Sequence, residues 1–351
     1  PGVYVPSLYD ILYNENGTVK KIKAKSGAPE KITKRIIWDL DKVYFPENFV
    51  VPFIETVHDR AVHEIFRGCI RGCRFCQAGF IYRPIREKSV ETIEKQSKTL
   101  CANTGYDELS LSSLSSSDYT KITELLERLL GWTANAKINV ALPSLRIDGF
   151  SDELKEKLAL IRRAGLTFAP EAGTQRLRDV INKNITEDEI HRTARNAFAG
   201  GWSTVKLYFM LGLPTETDED IKGIAKLSQD IVNEFYKNPD KPKGKSVKVT
   251  ISVSSFVPKP FTPFQWEAQD TEQSFLRKQE LLRECIRTKK VSVNVHNTGM
   301  SLMEAVLARG DRRLSSVLEE AYKAGCIFDS WDDHFNLQKW FNAFVKVGLT
   351  P

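Results

Sequence analysis

The stretch Thr204–Phe235, TVKLYFMLGLPTETDEDIKGIAKLSQDIVNEF, contains the pattern that decides the fold. An apolar run at Thr204–Met210 is followed by the turn Gly212–Thr217 and then by the amphipathic segment Glu219–Phe235. A short apolar run is typical of a buried strand, and apolar residues at helical spacing are typical of a helix that covers it. The stretch therefore predicts one strand–helix unit.

The same unit recurs along the chain, and six strand–helix repeats are predicted between Val62 and Lys289. The predicted strands are Val62–Phe66, Glu108–Leu111, Ile138–Leu142, Leu166–Ala169, Thr204–Met210 and Val247–Val253. The predicted helices are Val90–Ala102, Tyr119–Leu130, Glu153–Arg163, Gln175–Ile181 with Asp188–Ala199, Glu219–Phe235 and Glu272–Lys289. This alternation indicates an α/β fold, a parallel sheet with helices outside it. Six repeats favour a curved, barrel-like sheet, although the pattern alone also suits an open doubly wound sheet.

The segments on either side of the repeats differ from them in character. Residues 1–60 are turn-rich, and two short runs flanking Asn14–Gly17 predict a hairpin with Gly17 at a positive φ. Two or three helices are predicted after Ser292–Val295. We therefore expect a small β-rich extension at 1–60, a barrel at 61–265 and a helical cap at 266–351.

Composition excludes several classes of protein. The chain has 351 residues, of which 41% are hydrophobic and 27% charged, and these fractions exclude disordered and collagen-like chains. With 51 Lys and Arg against 45 Asp and Glu, the net charge of +6 is too small to indicate nucleic-acid binding. No run approaches the roughly 20 apolar residues needed to cross a bilayer, so no membrane partner is expected. Six cysteines are too few for a disulfide scaffold, which favours a reducing, cytoplasmic location.

The segment Gly68–Cys76, GCIRGCRFC, carries the clearest chemical signal. Its three cysteines, Cys69, Cys73 and Cys76, are separated by three and two residues and follow the first predicted strand. Three thiolates in one tight loop can bind a single soft metal centre, and the two glycines let the backbone turn. Electron-transfer clusters ordinarily use four cysteines, so three leave one iron of a four-iron cluster open to another ligand.

Two other interpretations of these cysteines stay open at this point. A structural zinc site would need a fourth ligand from His58, His63 or a distant cysteine. Three buried structural thiols would need no metal. A disulfide suits neither a reducing compartment nor an odd number of cysteines.

The loop resembles the signature of the radical S-adenosylmethionine (SAM) enzymes, in which an aromatic residue, here Phe75, directly precedes the last cysteine. The resemblance covers roughly residues 60–262. More closely, Gly68–Ser89, the serine-rich Leu111–Tyr119 and Phe168–Asn184 are similar to a subgroup often found behind an N-terminal cobalamin-binding domain. Since the chain starts without Met, the resemblance implies that such a domain precedes it and supplies cobalamin.

The resemblance implies a partial (βα)6 TIM-like barrel with one [4Fe-4S] cluster on Cys69, Cys73 and Cys76. SAM would bind the remaining iron through its amino and carboxylate groups. Reductive cleavage of SAM, with an electron from an external donor, would give methionine and a 5′-deoxyadenosyl radical that abstracts a substrate hydrogen. The expected place of the cysteine loop agrees with this, because sites in parallel sheets gather at the carboxyl ends of the strands.

The resemblance also implies an adenine site. Phe75 is expected to lie beside the cluster with its backbone near adenine. The loop that begins with Gly212 and Leu213 is expected to pack near adenine too, although Thr215 replaces the family's usual glycine. The other interpretations are compatible with these roles: Phe75 packs against the cluster, and Thr217 is the N-cap of the next helix.

Three residues at strand ends are expected to bind the rest of SAM. Ser112 and Ser113 lie where many members have a Gly-Gly-Glu type turn, so one of them is expected to bind the SAM amino group. Glu171 follows the fourth predicted strand and is expected to accept hydrogen bonds from the ribose or the ammonium group. The alternative for the serine-rich segment is helix capping by Ser117 or Asp118. The alternative for Glu171 is a carboxylate stabilised by the dipole at a helix N-terminus.

Three cations are further candidates. Arg146 follows the third predicted strand and is placed to meet a carboxylate, and Arg195, on the helix before the fifth strand, is a candidate for the SAM carboxylate. Lys206 is a charge within an apolar strand, so it is expected to point into the barrel toward a partner. For each of the three, a structural ion pair is the alternative.

These features together predict a radical SAM enzyme with an unknown substrate. Cobalamin-dependent methyl transfer or rearrangement is expected if a cobalamin domain precedes the chain. Because the barrel also resembles that of tRNA-modifying members, modification of tRNA or rRNA is an alternative, against which the modest charge argues. A non-catalytic iron–sulfur or zinc module is another, but such a module has no need of residues that bind SAM.

Overall fold

The computed structural model describes residues 2–142, 146–147, 166–239, 241 and 244–351. The predicted helix Glu153–Arg163 lies outside the described residues. The chain divides into two compact units, Pro1–Tyr44 and Phe45–Pro351. The predicted boundaries after residues 60 and 265 remain predictions about the functional domains.

The first unit contains an antiparallel hairpin of β1 (Tyr9–Tyr13) and β2 (Val19–Ala24), which confirms the predicted hairpin. Gly17, in the turn, has φ +79°. A residue without Cβ adopts this φ at little cost, which allows the chain to reverse here. Tyr9 is buried, and its hydroxyl donates to the carbonyl of Pro29 at 2.8 Å.

The second unit is built from parallel strands. Its strands are β3 (Ala61–Glu64), β4 (Phe66–Arg67), β5 (Arg86–Glu87), β6 (Glu108–Ser112), β7 (Asn139–Ala141), β8 (Leu166–Glu171), β9 (Thr204–Leu211), β10 (Lys248–Ser255) and β11 (Val291–Val295). One parallel sheet has the order β3-β6-β7 and the other β11-β10-β9-β8, whereas β4 and β5 form a short antiparallel pair. The arrangement is that of a partial α/β barrel.

Helices alternate with these strands. They are α1 (Ala78–Ile81), α2 (Val90–Thr104), α3 (Ile122–Ala136), α4 (Gln175–Val180), α5 (Glu187–Ala199), α6 (Asp218–Lys237), α7 (Glu272–Cys285), α8 (Thr298–Arg309), α9 (Leu314–Lys323) and α10 (Leu337–Lys346). Thr217 begins α6 with a capping box to Asp220, which confirms its predicted N-cap role. None of the helices in the described ranges combines the length and the apolar character that crossing a membrane requires.

The six predicted strands are confirmed, and so are the predicted helices that fall within the described residues. The structure adds β11, a further parallel strand paired with β10, inside the region 266–351 that was expected to be helical. Its sequence, VSVNV, alternates apolar and polar residues over five positions, which is the period of a half-buried strand. Three helices follow it, as predicted.

The main core lies between the sheets and the helices. On β9, Val205, Leu207 and Phe209 are buried in this core, whereas Lys206 and Tyr208 are more exposed. Successive side chains of a strand point to opposite faces, so each strand has a helix-covered face and a face turned away from the helices. On β8–β11 we call the second the inner face; it includes Thr167, Thr204, Lys206, Tyr208, Met210, Lys248, Thr250, Ser252, Ser254, Ser292 and Asn294.

Candidate functional site

The three predicted metal ligands lie in the loop between β4 and α1, which follows the carboxyl end of β3. Cys73 is buried, Cys69 and Cys76 are partly exposed, and all three are free thiols. The backbone N–H of Cys76 donates to the carbonyl of Cys73 at 3.1 Å, which closes the turn between the last two thiols. Gly68 has φ +100°, and a Cβ at this position would lie 2.9 Å from the carbonyl oxygen of Tyr82, so the start of the loop requires glycine.

Hydrogen bonds hold this loop against the chain that follows α4. The backbone N–H of Arg74 donates to the carbonyl of Ile181 at 2.9 Å, and its guanidinium donates to the carbonyl of Val180 at 2.5 Å. The side-chain amide of Asn182 donates to the carbonyl of Gly72 at 2.8 Å. The end of the fourth barrel strand and its helix are thus joined to the cysteine loop.

A partly buried ion pair holds the other side of the loop. The guanidinium Nε of Arg71 donates to Asp118 at 2.9 Å, and the hydroxyl of Ser115 donates to the same carboxylate at 2.8 Å. Although burial raises the pKa of Asp118, these hydrogen bonds outweigh it and hold the pKa below its ordinary value. The capping alternative for Ser117 and Asp118 is wrong, because α3 begins at Ile122, beyond the reach of either side chain as an N-cap.

Glu171 ends β8 in a strained backbone conformation. Its φ is +68°, in the left-handed region that residues with a Cβ avoid. The pairing of β8 with β9 shifts between Phe168 and Glu171, and a shift of this kind redirects a side chain at a strand end. Its carboxylate accepts from Lys183 Nζ at 3.0 Å, with 15% and 9% of the two side chains exposed. Glu171 lies three residues before Thr174, the N-cap of α4, and its carboxylate pairs with Lys183.

Lys183 connects Glu171 with the cysteine loop and with Arg146, whose guanidinium donates to the carbonyl of Lys183 at 3.2 Å. Burial raises the pKa of Cys73, and the charges of Lys183 and Arg146 act in the opposite direction. Positive charge near a thiol favours the thiolate, which is the form that binds metals. Sequence reasoning missed Lys183; the available signal was the polar run Asn182–Asn184 between two buried isoleucines.

A cavity of about 340 Å³ opens beside the start of the cysteine loop. Its lining consists of Glu64, Phe66, Arg67, Gly68, Tyr82, Ser112, Ser113 and Leu114. The Ser113 hydroxyl lies 2.9 Å from that of Ser116. Both predicted serines therefore line a cavity that reaches the residue before the first cysteine.

An apolar cluster lies at the carboxyl ends of β8, β9 and β10. Its buried members are Ala172, Leu177, Ile181, Met210, Leu213, Phe256 and Phe264, and Phe75 packs against them. Gly212 has φ +81°, and its backbone N–H donates to the carboxylate of Glu216 at 2.8 Å. The structure thus brings Phe75, Gly212 and Leu213 together.

Two predicted residues are not brought together with the others. Arg195, on α5, lies 3.3 Å from a carboxylate oxygen of Glu234 on α6, on the helical side of the sheet. Lys206 lies on the inner face, as predicted, with its ammonium 4.8 Å from the centre of the Tyr208 ring. Glu171 pairs with Phe209, which is three residues after Lys206 on β9. Lys206 therefore lies about 10 Å closer than Glu171 to the amino ends of the strands.

The three thiols suit an iron–sulfur cluster better than one zinc ion. Within the described ranges, the only three Cys, His, Asp or Glu side chains whose ligand atoms all lie within 4.8 Å of one another are Glu187, His191 and Asp230. At least two of the loop's three sulfur atoms therefore lie more than 4.8 Å apart. Thiolates on one tetrahedral zinc lie about 3.8 Å apart, given zinc–sulfur bonds of about 2.3 Å. A cluster in which each thiolate binds a different iron accommodates the wider spacing.

Comparison with known proteins gave a family match and one curated relative. Residues 63–228 match the radical SAM superfamily. An uncharacterized protein of Methanocaldococcus jannaschii is 32% identical over 286 residues, which cover 82% of this chain. The chain spans 60% of the length of that relative.

Several solved structures are similar to this chain at low identity. The cobalamin-dependent SAM radical enzyme OxsB has a TM-score of 0.47 and 12% identity, over 82% of this chain and 45% of OxsB. The radical SAM methyltransferase TsrM from Kitasatospora setae has a TM-score of 0.46 and 13% identity, over 58% of this chain and 38% of TsrM. Coproporphyrinogen III oxidase (HemN) from Escherichia coli has a TM-score of 0.42 and 14% identity, over 75% of this chain and 59% of HemN.

Proposed function

Because residues 63–228 form a radical SAM domain, we propose that Cys69, Cys73 and Cys76 hold a [4Fe-4S] cluster and that the protein cleaves SAM reductively. Such a cluster, when bound, supplies the single electron that cleavage of SAM to methionine and a 5′-deoxyadenosyl radical requires. The observation that carries the proposal is the common location of the thiol loop, the Glu171–Lys183 pair and the serine-lined cavity at the carboxyl ends of the strands. Sites of α/β barrels form at this end.

We assign SAM to the residues that surround the thiol loop. The carboxylate of Glu171 is suited to accept hydrogen bonds from a ribose or an ammonium group, and Ser112 or Ser113 offers a hydroxyl to the cavity. Phe75, with Leu213 in the same apolar cluster, offers a surface for adenine.

The cations divide into one that suits SAM and two that do not. Arg146, close to Lys183, carries the charge that a SAM carboxylate needs. Arg195 would have to leave Glu234 to reach SAM, and Lys206 lies too far along the sheet, so neither is assigned to SAM.

The later reaction is proposed as a class. OxsB is a cobalamin-dependent radical enzyme, and TsrM is a methyltransferase whose structure contains cobalamin. By its sequence resemblance, this chain is proposed to use the radical with cobalamin bound outside residues 1–351, for methyl transfer or rearrangement, and to receive its electron from an external donor. Modification of RNA remains a prediction from the sequence.

Anaerobic reconstitution with iron and sulfide tests the proposal. The wild-type protein should take up a full cluster and, after reduction in the presence of SAM, release 5′-deoxyadenosine. Cys73→Ala should lose both properties, because two thiolates cannot hold the cluster. Cys285→Ala is the matched control, since Cys285 is a partly exposed thiol outside the loop.

The measurements are iron and sulfide content and 5′-deoxyadenosine by chromatography. A full iron and sulfide load in Cys73→Ala would overturn the assignment of the ligands. A colourless wild-type protein that takes up zinc would overturn the cluster itself.

A further inference from the structure

The inner face carries a row of polar side chains far from the cysteine loop. The strand register places Thr167 opposite Lys206, Lys206 opposite Thr250, and Thr250 opposite Ser292. These four residues thus lie side by side across β8, β9, β10 and β11. Lys248, which pairs with Thr204, is a diagonal neighbour of Lys206 on the same face.

The lysines of this row differ from the other charged residues of the barrel strands. Three acidic strand residues are neutralised by nearby cations: Glu64 by Arg67, Glu108 by Arg60 and Glu171 by Lys183. By contrast, no carboxylate in the part of the chain that the structure describes lies within 4.0 Å of the ammonium of Lys206 or Lys248. The ammonium of Lys206 lies over the ring of Tyr208.

Lys206 and Lys248 place two positive charges on the same face of the sheet, and an anion bound at this face would be attracted by both. The hydroxyls of Thr167, Thr250 and Ser292 supply hydrogen-bond donors at the same level of the sheet. The Ser292 hydroxyl already lies 3.2 Å from that of Thr250. Ammonium and hydroxyl donors that share one face of a sheet supply the chemistry that carboxylate and phosphate groups require.

We propose that Lys206 and Lys248, with Thr167, Thr250 and Ser292, bind an anionic group of the substrate, a carboxylate or a phosphate. In naming the ligand as substrate, the inference rests on the proposed function. The anion site lies about 10 Å along the strands from the level of Glu171, where we place SAM. The substrate is therefore an elongated molecule, with its anionic end at the row and its reacting carbon near the cysteine loop.

The inner face between the two positions is suited to such a molecule. Tyr208 is 38% exposed there, and Ser252 and Asn294 are its neighbours across β10 and β11. An exposed aromatic ring beside hydroxyl and amide groups can contact both apolar and polar parts of a ligand. Because Tyr208 follows Lys206 toward the carboxyl end, it lies on the path from the anion site to the cysteine loop.

Anion binding by the cluster-reconstituted protein tests this inference, with radiolabelled orthophosphate as the probe in equilibrium dialysis. Saturable binding is expected, and Lys206→Met should weaken it about ten-fold or more, since one charge-assisted hydrogen bond is lost. Lys206→Arg should retain most of the binding. Lys95→Met is the matched control: it removes the same charge from an exposed position on α2.

Competition identifies which anionic group the site takes. Displacement of phosphate by succinate at lower concentration than by unlabelled phosphate assigns a carboxylate, and the reverse order assigns a phosphate. Equal binding by wild type and Lys206→Met would overturn the inference, as would saturable binding of neither anion or binding of an RNA oligonucleotide alone.

The assays of cluster content and SAM cleavage on the wild-type protein are independent of this result. Loss of phosphate binding in Lys206→Met without any wild-type SAM cleavage would leave the anion site standing and refute the proposed function. Normal SAM cleavage without anion binding would support the proposed function and refute the anion site.

Discussion

Backbone strain is concentrated in single residues close to the proposed site. Glu171, Asn182, Asn184, Thr215 and Phe261 all have positive φ values, and all lie in segments that end or follow β8, β9 and β10. Asparagine tolerates this conformation better than most residues, whereas glutamate in it costs about 1 kcal/mol or more. The strained Glu171 coincides with the register shift between β8 and β9, and strained residues of this kind cluster at functional sites.

At this scale we predict that two substitutions of Glu171 weaken SAM binding equally but differ in stability. Glu171→Ala and Glu171→Gly should both bind SAM about ten-fold more weakly with unchanged iron content, because each removes the carboxylate. Glu171→Gly should be more stable than Glu171→Ala by about 1 kcal/mol, because glycine adopts a positive φ without strain. Equilibrium dialysis with SAM and urea unfolding measure the two effects, and wild-type SAM affinity in both variants would remove Glu171 from the site.

Among the elements, the loop from β9 to α6 depends on α7 for its position. Glu216, in this loop, accepts from the backbone N–H of Gly212 and from Lys278 Nζ, both at 2.8 Å, and Lys278 also lies 2.6 Å from Asp270. Burial raises the pKa of Glu216 despite the opposing effect of Lys278. Burial acts to lower the pKa of Lys278, but its hydrogen bonds to Asp270 and Glu216 raise it overall. The loop conformation is therefore secured by a charge on another helix.

Lys278→Met should lower the free energy of unfolding by about 3 kcal/mol at neutral pH, because Glu216 is left buried without its cation. Since burial raises the folded-state pKa of Glu216 above its unfolded value, the destabilisation is present at pH values above the folded-state pKa and is relieved as the pH falls through it. Urea unfolding at neutral and mildly acidic pH measures this. Arg277→Met is the control: Arg277 lies on α7 beside Lys278 but forms an exposed pair with Asp218 of α6, and its loss should leave the free energy of unfolding nearly unchanged.

For the whole molecule, a buried polar network ties the first barrel strand to its helix. The side chain of His63 is fully buried, with its ring nitrogens 2.8 Å from the Ser97 hydroxyl and 3.1 Å from the amide oxygen of Gln96. Lys88 Nζ lies 3.0 Å from the second nitrogen. Burial and the charge of Lys88 lower the pKa of His63 from 6.5 to about 3, so the folded protein holds this ring neutral.

Global stability should therefore fall in weakly acidic solution. A histidine whose folded pKa is depressed takes up a proton in the unfolded state first, so stability is lost as the pH falls from 6.5 toward 3. Over the roughly 2 pH units from neutral to weakly acidic solution, His63 alone should lower the free energy of unfolding by about 2 kcal/mol. Urea unfolding at several pH values measures this loss, and His63→Asn, which keeps polar atoms but does not titrate, should show a flatter profile. Equal slopes in both proteins would contradict the prediction.

Local patterns in the sequence predicted what depends on neighbours along the chain. The strand–helix alternation, the hairpin around Gly17 and the N-cap at Thr217 were confirmed, because each depends on the spacing of residues within one short segment. The spacing of the three cysteines depends on one short segment too, and it selected their loop as the candidate metal site. The strand β11 was missed because a five-residue alternation is a weak signal beside the longer helical segments around it.

The sequence by itself determined the α/β class, the position of the thiol loop and the match of residues 63–228 to the radical SAM superfamily. Only the tertiary structure decided which charges meet: Glu171 with Lys183, Arg195 with Glu234, and Lys206 with no carboxylate in the described ranges. The reason is physical. Periodicity specifies the face of a helix or strand on which a residue lies, whereas the partner of a charge is set by elements that are distant in sequence and adjacent only after packing.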